Sequence, residues 1–319
     1  MKKGCFVLAY LAWGFAVGGQ SLRASDASPV FRAAIDLVAL NVVVTDGQQK
    51  LVHGLVSNNF TVLEDGVPQD VSFFAAAEVP LDLSILLDAS ASMTDKMRTA
   101  QEAAVGFAMR LHSSDRIAVV TIRDTVKTVH ALDADLDGAV SAIRQTTPGG
   151  GTALYNALYM SMREMSTQRR GNGEVRRQAI AVLTDGDDTS SLVNFDDVMD
   201  VAKRSGIAIY TITLKSGASK SIDPGAKRPM SDSDFAMKAL ALETGARSFF
   251  PADISELAGV YTTIAQELSN QYSIGYASKN GRQDGAYRRV RVQVDQAGAR
   301  TRTRSGYVAA RPVRRVALQ

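Results

Sequence analysis

The sequence predicts an α/β fold built on a doubly wound, mostly parallel six-stranded sheet with helices on both faces. Between residues 81 and 268, short apolar runs typical of strands alternate with amphipathic patterns of helical period. Strands separated by helices are joined by right-handed crossovers, so most of them should lie parallel. Only Asp124 and Thr125 separate the second and third candidate strands. Because two residues cannot hold a helix, the third strand should pair antiparallel at an edge of the sheet.

The alternation predicts six strands and six helices in this central region. Each strand is a run of apolar and β-branched residues, and each helix repeats its apolar residues every three or four positions. The predicted strands are residues 81–87, 116–122, 126–132, 179–183, 207–214 and 248–250. The predicted helices are residues 97–112, 136–145, 152–167, 196–205, 234–244 and 254–268.

Both flanks of this region have strand patterns without helices. An Asp65-Gly66 pair in the N-terminal flank, residues 30–78, is typical of a hairpin turn. Each flank has about fifty residues or fewer, a size at which the burial of apolar surface is marginal. We therefore expect one β-sandwich-like unit made from residues 30–78 and 270–310, with the domain 79–269 inserted between them. Strand patterns cover residues 31–45, 60–63, 272–277, 287–295 and 300–308.

The first 24 residues have the features of a secretory signal peptide. Residues 1–3 form a basic start, residues 6–17 are apolar, and Ala24 offers a small residue at the cut. About a dozen apolar residues are too few for a comfortable membrane span, so we expect cleavage near Ala24, with an uncleaved anchor as the alternative. The protein would be exported to the periplasm, the cell surface or the medium. The single cysteine, Cys5, would leave with this segment, which excludes disulfides from the mature chain.

The composition is that of an ordinary folded protein, with 45% hydrophobic and 22% charged residues among 319. Residues 279–319 carry eleven Lys and Arg against two Asp, whereas the rest of the chain is net acidic. A basic stripe can bind nucleic acid. Here, however, arginines alternate with Val290, Val292 and Val294, a pattern typical of a strand with one solvated face. We therefore expect no nucleic acid partner, and a basic tail at 311–319.

Oxygen-bearing side chains follow the ends of two predicted strands. The first strand leads into Asp88, Ser90 and Ser92, and the fourth leads into Asp185. Between them along the chain, a glycine-rich turn ends in Thr152 at the start of a predicted helix. Because the carboxyl ends of parallel strands meet at one edge of a sheet, we expect these residues to converge there. Such oxygen ligands bind hard divalent cations, although Asp and Ser are also common turn and N-cap residues.

In this order and at these spacings, the five residues resemble the metal-ion-dependent adhesion site of von Willebrand factor type A domains, which integrin I domains share. The flanks resemble those of secreted bacterial proteins related to von Willebrand factor type A, known chiefly from acidobacteria. The resemblance covers most of the chain beyond the signal segment. Its flank motifs are Asn59-Phe60-x-Val62-x-Glu64-Asp65-Gly66, Gln271-Tyr272-x-Ile274-Gly275-Tyr276 and Arg304-x-Gly306-Tyr307.

The resemblance implies a non-enzymatic adhesion or assembly module that binds its partner through a metal ion. Ser90, Ser92 and Thr152 would supply hydroxyl ligands, and Asp88 and Asp185 would hold the ion directly or through water. The ion would be Mg²⁺, or alternatively Mn²⁺ or Ca²⁺, and would take an Asp or Glu carboxylate from a protein partner in the envelope or in another copy of the chain. The loops facing this ligand would contain Gly150, Gly151, Tyr155, Gly186 and Asp187.

A second motif in the same loop supports an enzymatic alternative. Asp185-x-Asp187-x-Thr189 follows a predicted strand and matches the nucleophile loop of haloacid-dehalogenase-like phosphatases, in which the first Asp attacks phosphorus beside Mg²⁺. That loop ordinarily begins the catalytic domain, whereas here it follows about the fourth strand. No later predicted strand ends in the paired acids that would complete such a Mg²⁺ site. The adhesion site is therefore the favoured prediction.

Overall fold

The computed structural model describes residues 37–76, 79–169, 175–214 and 230–311. The predicted signal peptide, residues 1–24, lies outside these ranges, as does the predicted basic tail from residue 312 onward. None of the helices in these described ranges combines the length and the hydropathy that a membrane span requires.

In these ranges the chain forms fourteen strands and six α-helices. The strands are β1 (Leu37–Thr45), β2 (Phe60–Glu64), β3 (Val67–Gln69), β4 (Val71–Ala76), β5 (Leu81–Asp88), β6 (Arg116–Ile122), β7 (Val126–Asp133), β8 (Arg177–Thr184), β9 (Ala208–Thr213), β10 (Ser248–Phe249), β11 (Tyr272–Ala277), β12 (Tyr287–Val294), β13 (Arg300–Arg302) and β14 (Gly306–Val308). The helices are α1 (Met97–Ala108), α2 (Leu136–Gln145), α3 (Leu154–Arg169), α4 (Phe195–Ser205), α5 (Asp232–Glu243) and α6 (Leu257–Ser269).

The central sheet has six strands in the order β10-β9-β8-β5-β6-β7. Neighbouring strands are parallel except for β7, which pairs antiparallel with β6 at one edge. Strands β5 and β8 are buried along their whole length, as expected for sheet strands covered on both faces. The predicted fold class and the antiparallel edge strand are therefore confirmed.

Three helices cover each face of the central sheet. Residues of α1, α2 and α6 form one apolar core with one side of the strands, including a ring contact of 4.9 Å between Phe107 and Tyr261. Residues of α3, α4 and α5 form the second core with the other side. Local signals fix the ends of the helices: Asn194 caps α4 with a reciprocal capping box, and Gly206 ends it with a left-handed backbone at φ 70°.

The two flanks form a β unit of two four-stranded sheets, in the orders β13-β1-β11-β4 and β14-β12-β2-β3. Each sheet combines strands from before and after the central region, and β1 lies between two strands of the C-terminal flank. The inner faces of both sheets share one apolar core. Residues of this core include Leu40, Val42, Phe60, Val62, Tyr272, Ile274, Val290 and Val292.

The prediction of a single strand over residues 300–308 is wrong. The segment forms β13, which pairs with β1, and β14, which pairs with β12, so it passes from one sheet to the other. Contacts with the end of α5 separate the two strands: the Ser305 amide donates to the Glu243 carbonyl at 3.0 Å. Gly245 also lies so close to this segment that an added Cβ would be 2.4 Å from the backbone of Thr303.

The β unit is attached to the central region at the edge opposite the carboxyl ends of the parallel strands, where β5 begins and α6 ends. Buried Glu267 of α6 pairs with Arg302 of β13 and with Arg247, which lies 2.9 Å away. The carboxyl edge is therefore left to the loops that carry the predicted site.

Candidate functional site

The candidate site lies at the carboxyl edge of the central sheet, where the neighbouring strands β5 and β8 end. Leu87 of β5 is paired with Leu183 of β8, so Asp88 and Asp185 follow nearly the same point of two adjacent strands. Helices on both faces bury β5 completely and fix the position of Asp88. Thr152 lies in the loop that precedes α3.

The carboxylate of Asp88 is fully buried and is held from two sides. Its Oδ1 atom accepts a hydrogen bond of 2.8 Å from the Ser90 amide, and its Oδ2 atom accepts one of 2.7 Å from the Thr184 hydroxyl. Burial raises the pKa of Asp88 above its ordinary value of 3.8 against the lowering effect of these hydrogen bonds, and the nearby charge of Asp185 adds to the increase. A bound cation would relieve both unfavourable effects on the ionised carboxylate.

A chain of hydroxyl groups links the loop after β5 to the loop after β8. Ser90 Oγ lies 2.9 Å from Ser92 Oγ, and Ser92 Oγ donates a hydrogen bond of 2.7 Å to Asp185 Oδ1. Ser90 and Asp185 are buried whereas Ser92 is exposed, so the chain reaches the surface. The structure thus brings four of the predicted residues, including Asp88, into one hydrogen-bonded cluster.

Lys96, which sequence reasoning missed, also contacts this cluster. Its Nζ atom forms an ion pair with Asp185 Oδ2; the Lys96 side chain is 21% exposed and the Asp185 side chain 0%. Lys96 directly precedes α1. Its position in the sequence gives no sign of the contact, because the placement of α1 beside the loop after β8 creates it.

The glycine-rich turn is held between the loops after β5 and β6. Gly150 accepts a hydrogen bond of 3.0 Å from the Ala91 amide, and the Gly151 amide donates one of 2.6 Å to Asp124 Oδ1. Gly150 has a φ of +79°, and an added Cβ there would be 1.9 Å from Asp124 Oδ2. A side chain at this position would therefore be strained and would displace the Asp124 carboxylate. Asp124 is a second residue of the site region that the sequence did not reveal.

Thr152 is tied to the same loop as Asp185. Its amide donates a hydrogen bond of 2.9 Å to Thr189 Oγ1, and its carbonyl accepts bonds of 2.8 Å from the Thr189 amide and 3.1 Å from the Ser190 amide. Thr152 is buried, with 5% of its surface exposed. The three predicted loops therefore form one connected edge.

Residues of α3 and of the loop after β8 form the rim of the site. The Tyr155 amide donates to Asp188 Oδ1 at 3.1 Å, and its ring lies 5.8 Å from that of Phe195. Burial raises the pKa of Tyr155, and the carboxylates of Asp188 and Asp187 add to this increase. Gly186 is partly exposed and Asp187 exposed, so both are accessible from solvent at the rim.

Leu192 is the most exposed apolar side chain of the rim, with 96% of its surface accessible. Its amide donates to Asn156 Oδ1 at 3.1 Å, and the Asn156 amide donates to Ser191 Oγ at 2.9 Å. The backbone of this loop is therefore fixed to α3 while the leucine side chain points into solvent.

The donor atoms of the site fit a hard divalent cation. Within the described ranges, no three His, Cys, Asp or Glu side chains gather as a metal-binding group. What does gather is a set of oxygens: the carboxylates of Asp88 and Asp185, the hydroxyls of Ser90 and Ser92, and the loop of Thr152 at the same edge. An all-oxygen set with two carboxylates suits Mg²⁺ or Mn²⁺ and leaves coordination positions for water or an external ligand.

The central region is a doubly wound α/β domain whose candidate site lies in loops at the carboxyl edge of its sheet. The profile of the von Willebrand factor type A domain family matches residues 82–263. The chain belongs to the von Willebrand factor type A family, whose domains are generally adhesion and protein-interaction modules.

Similar proteins occur in mycobacteria and among solved bacterial structures. A UPF0353 protein of Mycobacterium leprae (strain Br4923) is 25% identical over 231 residues, 69% of either chain. A UPF0353 protein of Mycobacterium tuberculosis (strain ATCC 25177 / H37Ra) is 24% identical over 231 residues, again 69% of either chain. The structure of von Willebrand factor type A from Catenulispora acidiphila is 15% identical, covers 88% of this chain and 76% of its own, and has a TM-score of 0.49. The structure of BatB from Bacteroides thetaiotaomicron is 18% identical, covers 60% of this chain and 97% of its own, and has a TM-score of 0.45.

Proposed function

We propose that the protein is an exported adhesion or assembly module that binds a partner carboxylate through a divalent metal ion. The observation that carries this proposal is the hydroxyl chain from Ser90 through Ser92 to Asp185, beside the buried carboxylate of Asp88. Export is supported by the signal-like sequence of residues 1–24.

The residues of the candidate site have different roles in this proposal. Asp88 and Asp185 would supply negative charge, and Ser90, Ser92 and Thr152 would supply neutral oxygens. The Thr184 hydroxyl and the Ser90 amide fix the Asp88 carboxylate before an ion arrives, which lowers the cost of ordering it. The bound ion would provide an electrophilic position for one external carboxylate.

We propose a protein partner that presents an Asp or Glu beside an apolar side chain. Leu192 supports this choice because its exposed side chain lies on a backbone fixed to α3, so a partner that covers it gains apolar burial without ordering the loop. Along β12, the exposed Arg289 and Arg291 alternate with the buried Val290 and Val292, the arrangement of a half-buried strand rather than of a nucleic acid groove. An envelope component and a second copy of the chain are both candidates for the partner.

Calorimetric titration with Mg²⁺, Mn²⁺ and Ca²⁺ tests the metal site. Asp88→Ala and Thr152→Ala should abolish binding while the chain stays folded by circular dichroism. Asp137→Ala is the matched control, because Asp137 is an exposed acid in the first turn of α2. Undiminished binding in both site variants would contradict the assignment. A pull-down from envelope extract with and without EDTA then identifies the partner, which should be retained only when the ion is present.

The phosphatase alternative rests on sequence spacing, and no contact in the described site favours it. Thr189 Oγ1 accepts a hydrogen bond from the Thr152 amide. Both carboxylate oxygens of Asp185 have partners: Oδ1 accepts a hydrogen bond from Ser92, and Oδ2 forms an ion pair with Lys96. We expect no Mg²⁺-dependent turnover of a generic phosphomonoester. Turnover that disappears in Asp185→Asn would establish the enzymatic function instead.

A further inference from the structure

Lys96 places a positive charge against one of the two carboxylates proposed to hold the ion. Its Nζ atom pairs with Asp185 Oδ2, while Asp185 Oδ1 accepts the Ser92 hydroxyl. Two hydrogen bonds fix the backbone at Lys96. Its amide donates one of 2.9 Å to the Met93 carbonyl, and its carbonyl accepts one of 3.0 Å from the Ala100 amide. The flexible side chain therefore carries its charge from a rigid point at the start of α1.

We propose that Lys96 sets the charge of the ion-loaded site, weakening the binding of the divalent ion and strengthening the binding of the external carboxylate. This inference rests on the proposed function and adds a specificity-determining residue to it. It concerns the balance between two ligands of one site, which the five predicted residues alone leave undetermined.

The reason is a count of charges. Asp88 and Asp185 together carry two negative charges, so with a divalent ion the cluster would be neutral and would attract an anion only weakly. Lys96 adds one positive charge next to Asp185 and leaves the loaded cluster at plus one. A single carboxylate from a partner then neutralises the site, which favours one acidic side chain over a neutral ligand such as water.

The same charge works against the ion itself. Lys96 shares Asp185 with the incoming cation and repels it at close range, in a region where burial reduces solvent screening. Asp185 keeps its orientation without Lys96, because the Ser92 hydroxyl holds its other oxygen at 2.7 Å. Arg123 also lies near the turn, but its Nε atom donates to the Gly149 carbonyl at 2.7 Å.

Two titrations on three forms of the full chain test the proposal. Wild type, Lys96→Met and Lys96→Arg are first titrated with MgCl₂ by calorimetry. Acetate is then titrated into each Mn²⁺-saturated form and followed by the loss of water-proton relaxation enhancement from protein-bound Mn²⁺. Lys96→Met should bind Mg²⁺ about tenfold more tightly and acetate about tenfold more weakly than wild type. Lys96→Arg keeps the charge and should stay within about threefold of wild type in both titrations.

The opposite signs of the two changes separate this proposal from a structural role of Lys96. Weaker Mg²⁺ binding by folded Lys96→Met would show that Lys96 braces Asp185, and would overturn the proposal. Tighter Mg²⁺ binding with unchanged acetate binding would overturn it as well. If wild type binds no divalent ion, the proposed function fails at the first titration, whereas a normal wild type with an unchanged Lys96→Met refutes only the role of Lys96.

Discussion

The hydroxyl of Tyr307 donates a hydrogen bond of 2.9 Å to Oε2 of Glu64, across a sequence separation of 243 residues. Tyr276 donates to the same oxygen at 2.9 Å, Ser278 donates to Oε1 at 2.6 Å, and the Arg288 guanidinium lies 3.4 Å from Oε1. Glu64 belongs to the N-terminal flank and the other four residues to the C-terminal flank. Three of the flank motifs found in the sequence therefore meet in one buried polar cluster that joins the two halves of the β unit.

Replacing Glu64 should destabilise the β unit far more than removing one hydrogen bond. Glu64 and Arg288 are 2% and 3% exposed. Glu64→Leu removes the acceptor of three hydroxyl hydrogen bonds and the nearer carboxylate of Arg288, which keeps Asp284 at 3.9 Å, and should lower the free energy of unfolding by about 3–5 kcal/mol. Tyr307→Phe removes one hydrogen bond while Tyr276 still occupies Oε2, and should cost about 1 kcal/mol. Urea unfolding of both variants measures the difference, and equal losses would contradict the ionic role assigned to Glu64.

The same cluster predicts a loss of stability at alkaline pH. Burial, and then the hydrogen bond to the Glu64 carboxylate, raise the pKa of Tyr276 above its ordinary value of 10.0. The folded state then holds this proton more tightly than the unfolded state. The contribution is fully present below the unfolded pKa, and it decreases as the pH rises above about 10.

Tyr276→Phe should therefore unfold more easily than wild type at about pH 8, because it lacks a hydrogen bond worth about 1 kcal/mol. Above about pH 10 the difference should shrink by up to about 1.4 kcal/mol per pH unit, since only wild type loses the Tyr276 contribution. Urea midpoints across this range provide the measurement. Parallel curves for the two proteins would show that Tyr276 does not titrate on unfolding.

The central sheet could be predicted because each of its signals is local. Strand β5 is covered on both faces and therefore appears as a continuous apolar run, and the short Asp124-Thr125 link fixes the antiparallel pairing of β7. The hydrogen-bonded cluster around Asp88 and Asp185 could be predicted for the same reason, since strand ends mark the edge of a parallel sheet.

Contacts between distant loops could not be predicted in this way. The ion pair of Lys96 with Asp185, and the bond from Gly151 to Asp124, depend on how helices and loops are placed after the sheet has formed. The break between β13 and β14 likewise follows from the approach of the chain to Gly245 at the end of α5. The apolar pattern of the sequence contains no signal for this contact between distant segments.

Removing the C-terminal flank should unfold the N-terminal flank. Both neighbours of β1 in its sheet, β11 and β13, come from the C-terminal flank, and the apolar core of the β unit draws on both flanks. A chain that ends at residue 269 leaves β1 and β4 without their neighbouring strands. The strands that remain are too few to offset their ordering entropy. Limited proteolysis should remove residues 37–76 from this chain and spare them in the full-length protein.

Residues 79–270 alone should unfold cooperatively on heating, because the central sheet keeps helices on both faces. Buried Glu267 loses its ion pair with Arg302 in this segment but keeps its ion pair with Arg247. The two flanks joined by a short Gly/Ser linker should fold as well. A shortened chain whose N-terminal flank resists protease would refute the view that the central domain is inserted into one β unit.

Alanine substitutions at Gly150 and Gly186 test whether the backbone of the turn before Thr152 matters for stability and ion binding. Gly150→Ala places a methyl group 1.9 Å from Asp124 Oδ2 on a backbone with φ +79°, so the Asp124 carboxylate must move and its hydrogen bond to the Gly151 amide is disturbed. We expect a loss of about 1–3 kcal/mol in the free energy of unfolding. Mg²⁺ affinity should fall about tenfold, because that hydrogen bond helps to hold the turn that carries Thr152, one of the proposed ligands.

Gly186→Ala is the matched control in the loop after β8. An added Cβ at Gly186 meets no atom within 4 Å. Stability and Mg²⁺ affinity should therefore stay near the wild-type values, within about 0.5 kcal/mol and about twofold. Calorimetric titration and urea unfolding of both variants decide the matter. If Gly150→Ala binds Mg²⁺ as tightly as Gly186→Ala does, the glycine turn before Thr152 does not control the binding of the ion.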